Sequence, residues 1–463
     1  MGGRMLRLIL TCCVLCICVA WAFAQPAVSP FHISYVAGVR DAAGRFMGGT
    51  ELMNFAVHDG RLYAGVGYWE DRPGIDPRSG AQVVVRDGPS APWHSDHVFP
   101  GTLRLDALRS VTFTTDGQGH AIPPTSVLLA TPDDLVQGTA SVWSRDDATG
   151  TWTEMVLAHP GALTDVRALG FHHDAITGVD YVFAGANTNA RWLDRGWTYR
   201  IIPQENTGIF LGVYDPAVPG RIRWKVVPEF THYVGRPMAF AEANGVLYVV
   251  IRGTMYRRVD GPTPTWVKVF SWPRPIVPKN SGLRGLVAIP NPSGRGELLL
   301  VALEGVAGRV FRIDPMAGYR AVVELDVEAL LRQQWGLARD QYVIIAYNDM
   351  SVTTDPRTQE PELVLGLQAH DPAPGRSDSA WYLIRHADAR YELREVHPIP
   401  DPHRSTAALV AVRAIQVSPF PADGGQVVYL GGYDCNFTPA HNTAWMYQVE
   451  LSSLVGPAAP APR

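Results

Sequence analysis

The body of this chain has almost no cysteine. Cys12, Cys13, Cys16 and Cys18 crowd the N-terminal segment, and only Cys435 lies beyond it. A body with one cysteine cannot close an intramolecular disulfide, so a large hydrophobic core has to hold the fold. Cys435 stands beside a strand end and reads as a small buried hydrophobe, with a reactive thiol as the alternative. Charge is also scarce: charged residues make up 18% of the chain and the formal net charge is -4. That balance excludes a nucleic-acid binder that depends on phosphate attraction. GxSxG, Walker, GxGxxG and HExxH motifs are all missing. No serine-hydrolase elbow, nucleotide site or zinc-protease reading is therefore open.

Long apolar runs are absent too, except near the start. Arg4 and Arg7 form a basic region, Leu8 to Val19 an apolar one, and Ala22-Phe23-Ala24 a small-x-small cleavage site. Residues 1–24 therefore read as a signal peptide, with Gln25 as the new N-terminus. A retained anchor is the alternative, but the apolar stretch is short for a bilayer span. The expected destination is secreted or periplasmic, with no membrane span after cleavage.

What the chain has in quantity is turn formers and apolar residues: 44 Gly, 37 Pro and 46% hydrophobic content in 463 residues. This suits a turn-rich β protein. A strand pattern recurs at NFAVH (54–58), RSVTF (109–113), RALGF (167–171), RPMAF (236–240), RGLVAI (284–289), YVIIAY (342–347) and RAIQV (413–417). A polar turn and a second strand follow each copy, which is a blade-sized repeat. The outer half repeats as well. A turn opening near Asp87, Asp146, Asp215, Asp260, Asp314 or Asp388 leads to Trp93, Trp152, Trp224, Trp266, Tyr319 or Tyr391. The aspartate can cap its turn, and the aromatic can bury between neighbouring sheets.

The last copy has no such turn after Thr443 to Val449. Phe31 to Ala37, with alternating apolar residues, supplies the missing strand. The expected fold is all-β: a seven-bladed β-propeller of four-stranded antiparallel blades, the last blade closed by the N-terminal strand. Closure removes exposed strand edges. Residues 25–455 form the single domain, and the Pro/Ala-rich 456–463 is a disordered tail. A six- or eight-bladed count and a pair of sandwiches are the alternatives. Two segments depart from the repeat. Asp326 to Trp335 reads as a helix with Asp326 as N-cap and Gly336 as stop. Asn187 to Thr207 is a long insert, the sort that often forms a functional loop.

In such a blade the starts of first strands and the ends of second strands share one face. Arg109, Arg167, Arg236, Arg284 and Arg413 then gather on it with acids such as Glu51, Asp133-Asp134 and Glu304. One reading is a charged funnel, because arginine forks grip carboxylate, sulfate or phosphate at two points. The other is structural: each Arg points at the adjoining sheet's rim and pairs with an acid or a carbonyl. Asymmetric loops are the stronger functional candidates. Tyr68, Trp69, Glu70 and Asp71 lie in the first blade, and Asp434, Asn436 and His441 in the last, side by side at the seam. Asp71, Asp434 and Glu70 are the catalytic candidates if the protein is an enzyme. A hydrogen-bonded latch is the bland alternative. His94-x-x-His97 and His172-His173-Asp174 lack a third ligand at a recognisable spacing, so no metal site is assigned. Nothing in the sequence names a cofactor.

Ser144-Arg-Asp146-Asp-Ala-Thr-Gly150-Thr-Trp152 resembles the Asp-box turn of sialidases, with Asp and Gly further apart than in that motif. The mature chain as a whole resembles secreted bacterial β-propellers of the sialidase/YVTN-like superfold. The resemblance implies a propeller and leaves the activity open. Two expectations follow. One is a monomeric binding or scaffold propeller whose funnel takes a glycan, a small anionic molecule or a partner protein. The other is a hydrolase of a glycoside or lactone using channel-mouth carboxylates.

Overall fold

Each copy of the inner-strand pattern forms the first strand of an antiparallel sheet. The computed structural model describes residues 29–68, 80–134, 138–158, 163–188, 191–193, 199–201, 206–232, 235–272, 282–305, 308–335, 343–369, 380–396, 399, 409–433 and 442–456. The first strands are Glu51–His58, Thr102–Thr115, Asp165–Asp174, Pro237–Ala243, Gly282–Pro290, Val343–Thr354 and Ala411–Val417. Their sheets are called one to seven below. Alternating apolar residues bounded by Gly, Asn and Asp turns favour these hairpins, since each strand can bury a face and each turn can reverse the chain. Second, third and fourth strands then pair outward in sequence order in sheets two to six.

Sheet seven takes its outer strand from the other end of the chain. His32–Val36 pairs antiparallel with Trp445–Glu450, matching His32 to Gln448 and Val36 to Trp445. This is the strand expected at Phe31 to Ala37. The long insert of sheet three contains a two-stranded hairpin of Arg191–Leu193 with Tyr199–Ile201. The expected helix is present over Val327–Trp335. Asp326 Oδ1 accepts from the Ala329 N–H at 3.0 Å, as an N-cap should. Gly336 lies outside the described residues, as does the segment 457–463. A short helix not expected from the sequence, Leu451–Val455, follows the last strand.

The core sits between sheets. Val83 and Phe99 of sheet one pack with Leu105 and Leu128 of sheet two. Phe183 and Leu211 of sheet three pack with Phe240 and Val249 of sheet four. Tyr429 and Met446 of sheet seven pack with Leu62 and Val84 of sheet one. Small faces accept bulky ones. A Cβ on Gly170 would come within 2.7 Å of Phe240, and one on Gly65 within 3.1 Å of Leu105. Each fully buried Leu or Phe contributes roughly 1.5–3 kcal/mol.

A polar latch repeats on top of this packing. Trp152 donates its indole N–H to Asp96 of sheet one at 2.8 Å, and Arg145 forks onto the same carboxylate at 2.9 Å. Trp266 and Arg258 meet Glu229 in the same way, at 3.0 and 2.8 Å. Tyr391 and Arg385 meet Glu324, the tyrosine hydroxyl at 2.9 Å. Trp93 and Arg86 instead meet the Ser34 hydroxyl of the N-terminal strand, at 3.0 and 2.8 Å. Ser34 thus does in the outer strand of sheet seven what the acids do elsewhere. The turn aspartates divide by role. Asp146, Asp215, Asp314 and Asp388 accept from their own turn N–H groups. Asp260 binds Arg258 and His172 instead, so its turn position serves a contact between strands.

Candidate functional site

A shared irregularity in the first strands shapes the site. In sheets one to five and in sheet seven, one extra residue interrupts the pairing with the second strand. The extra residue is Met53, Asp106, Arg167, Met238 or Arg413, and in sheet five Arg284 with Gly285 faces the single Ala302. A bulge re-aims the side chain it carries and bends the strand. The sequence pattern aligns Arg109 with Arg167 and Arg413, but the pairing aligns Asp106 with them. Arg109 stands three residues further along, where sheet three has Gly170 and sheet four Ala241.

That displacement separates the five arginines. Arg413 is buried, ion-pairs with Glu51 and lies 3.6 Å from the Tyr433 ring centroid. Its Nη1 also meets the Met53 sulfur at 3.0 Å. Arg167 is buried and ion-paired with Asp106. Arg284 is buried and ion-paired with Glu304. Arg236 is half-buried, and its charge acts on Asp165. Arg109 differs from all of these. Its Nη1 donates to the Leu169 carbonyl at 2.7 Å, and no carboxylate partner stands beside it among the described residues.

Arg109 lies in the wall of a cavity of about 260 Å³ between the first strands. Asn54, Asp106, Arg167, Met238 and Leu286 bring sheets one to five into that wall. Arg109 is exposed on the cavity wall, and the protein atoms crowding its guanidinium lower its pKa from the usual arginine value. A guanidinium does not lose its proton under such a shift. It stays a cation whose fork an anion entering the cavity can meet at two points.

Behind the wall lies an acidic group. Asp106, Asp133 and Asp165 bring carboxylate oxygens within 4.8 Å of one another, and each residue is 2% exposed. Arg104 Nε reaches Asp106 Oδ1 at 2.8 Å, and Arg167 meets the same oxygen. Burial and the Asp133 charge push the Asp165 pKa up to about 8, against the opposing charges of Arg104 and Arg236. Sequence reading placed Asp133 among the acids and missed Asp106 and Asp165. Their signal was weak: Asp165 stands two residues before Arg167, and Asp106 three before Arg109.

At the seam, Tyr68 is buried and donates its backbone N–H to the Leu103 carbonyl at 2.7 Å. A Cβ on Gly48 would strike both the Tyr68 hydroxyl and the Asn442 amide. The bases of the two seam loops therefore meet at Gly48. Trp69, Glu70, Asp71, Asp434, Cys435, Asn436 and His441 lie outside the described residues. The histidine pairs do not converge. His94 binds Asp87 at 2.8 Å, whereas His97 packs against Phe99 and Trp143. His172 bridges Glu242 and Asp260, and His173 binds Asp180.

No protein-family model matches the sequence, and comparison with characterised proteins finds no match. Among the solved structures that are similar are these three. The periplasmic gluconolactonase PpgL of Pseudomonas aeruginosa is 13% identical with a TM-score of 0.41, over 87% of this chain and 96% of that one. A Lactobacillus plantarum protein is 10% identical with a TM-score of 0.43, over 80% and 88%. Sqt1 of Saccharomyces cerevisiae is 10% identical with a TM-score of 0.41, over 91% and 98%. Among the described residues no helix is long and apolar enough to cross a membrane.

Proposed function

We propose that the chain is an exported, seven-bladed β-propeller that binds a small anionic molecule in the cavity beside Arg109. The seven first strands follow one another, each against the next, with Ala411–Val417 against Glu51–His58. With His32–Val36 as the outer strand of sheet seven, that order supports closure of the ring by the N-terminal strand. The binding reading rests on one observation: Arg109 is an exposed guanidinium on a cavity wall, with a carbonyl for its partner instead of a carboxylate. An incoming carboxylate, sulfate or phosphate would complete the fork. At about 260 Å³ the cavity falls just below the usual ligand-pocket range of roughly 300–1,000 Å³, which favours a ligand no larger than a monosaccharide acid.

Binding is favoured over hydrolysis by the state of the described acids. The one carboxylate among the described lining residues is Asp106, and two arginines already hold it. Glu51 and Glu304 are likewise held by Arg413 and Arg284. The test is calorimetric titration of the mature protein with D-gluconate and with inorganic phosphate, beside Arg109→Met. Binding to the wild type, weakened at least tenfold in the folded variant, supports the reading. Equal binding by both proteins, or no binding of either anion, overturns it. Turnover of glucono-δ-lactone by the wild type would favour the hydrolase alternative.

A further inference from the structure

The acidic group behind the cavity wall has unmet needs that arginine does not supply. Arg104 and Arg167 both approach Asp106 Oδ1. Asp106 Oδ2 and Asp165 Oδ1 are buried and have no hydrogen-bond donor among the described residues. Buried acceptors in that state require a positive centre between them or a bound proton.

A separate residue points to the first of these. Asn187 is 0% exposed and ends the second strand of sheet three. Its backbone is matched to Asp165 in the strand register. Directly opposed residues project from the same sheet face with Cβ atoms ~5 Å apart. Asn187 thus shares the face from which Asp165 reaches Asp106 and Asp133. Neither its Oδ1 nor its Nδ2 has a hydrogen-bond partner among the described residues. A fully buried amide is rarely left so, and its oxygen is a hard ligand like the carboxylates beside it.

We propose that Asp106, Asp133, Asp165 and Asn187 form a divalent-cation site, with calcium as the fitting ion. All four side chains offer oxygen, and calcium accepts six to eight oxygen ligands in flexible geometry, whereas magnesium demands a near-ideal octahedron. The ion would lie just behind the cavity wall, because Asp106 belongs to both groups. Arg104, Arg167 and Arg236 face the same carboxylates, so the charge available for an ion is small. That charge balance places the affinity at the weak end, roughly 10⁻⁴–10⁻³ M, the range of extracellular calcium modules. The proposal does not depend on an anion in the cavity, since the ion is measured without one.

The experiment titrates calcium chloride into the mature protein by calorimetry after removal of metal with EDTA, and follows thermal unfolding with and without ~10 mM calcium. The expected wild-type result is saturable binding and a midpoint raised by roughly 2–4 °C. Asp165→Asn, nearly the same shape with one charge less, should lower the affinity at least tenfold. Asn187→Asp adds a carboxylate and should tighten binding about tenfold. No calcium binding by the wild type or by Asn187→Asp overturns the proposal. So does an affinity unchanged in Asp165→Asn. An Asp165→Asn protein that is more stable at neutral pH and indifferent to calcium overturns it in favour of a bound proton.

Discussion

Arg109 donates to the Leu169 carbonyl at 2.7 Å, while Arg413, placed alike by the sequence pattern, ion-pairs with Glu51. One arginine is a cation waiting for an anion and the other is half of a buried pair. Their replacements should therefore differ. Arg413→Met strands a fully buried Glu51 and should cost about 3–5 kcal/mol. Arg109→Met removes an exposed charge that has no carboxylate partner among the described residues and should change stability by less than about 1 kcal/mol. Urea unfolding of the two variants checks this. Equal losses would mean that Arg109 is as structural as Arg413.

The latch between sheets one and two makes a second prediction. Trp152→Phe keeps the ring and removes the N–H that Asp96 accepts. It should cost about 1.5–3 kcal/mol, as a hydrogen bond to a charged group does. A double-mutant cycle with Asp96→Asn should show coupling of at least about 0.5 kcal/mol. Additive losses would show that the indole stabilises by packing alone.

Stability in acid should depend on Asp174. Burial tends to raise its pKa, but Arg258 and the N–H groups of Thr177, Gly261 and Ile176 prevail and hold it at about 2. The folded pKa lies below the unfolded one near 3.9, so the unfolded chain takes up the proton first. The contribution is present above about pH 4 and is lost as pH falls towards 2. After solvent screening it should amount to about 1–2 kcal/mol. Asp174→Asn should flatten this part of the curve of melting temperature against pH between 2 and 5. An unchanged slope would assign the acid sensitivity to other carboxylates.

The N-terminal strand should be needed for solubility as well as for stability. Ser34→Ala removes the acceptor shared by Arg86 and Trp93 and should cost about 1 kcal/mol. Deleting residues 29–37 leaves Trp445–Glu450 as a bare edge, which should drive self-association visible by size-exclusion chromatography. A monomeric, fully folded deletion variant would sink the closure argument.

Much of this architecture was legible without coordinates. The seven first strands, the aspartate turns, the Asp326 cap and the N-terminal outer strand all depend on local periodicity and turn chemistry, which act over a few residues. The inter-sheet latch was half legible: the aromatics were expected between sheets, but not the acids they bind. Asp96, Glu229 and Glu324 have no fixed distance in sequence from their partners.

The sequence by itself therefore determined the strands, their order and the aromatics that bury between neighbouring sheets. Tertiary structure decided which cavity-wall arginine has no carboxylate partner among the described residues. The bulge that falls on Arg167 and Arg413 in sheets three and seven falls on Asp106 in sheet two, three residues before Arg109, and a residue count along the chain cannot see a bulge. Tertiary structure also decided that Asp106, Asp133 and Asp165 converge, and that Asn187 stands opposite Asp165. These groups come from different strands of two sheets, and only the pairing of strands and the packing of one sheet on the next bring them within reach of a common ion.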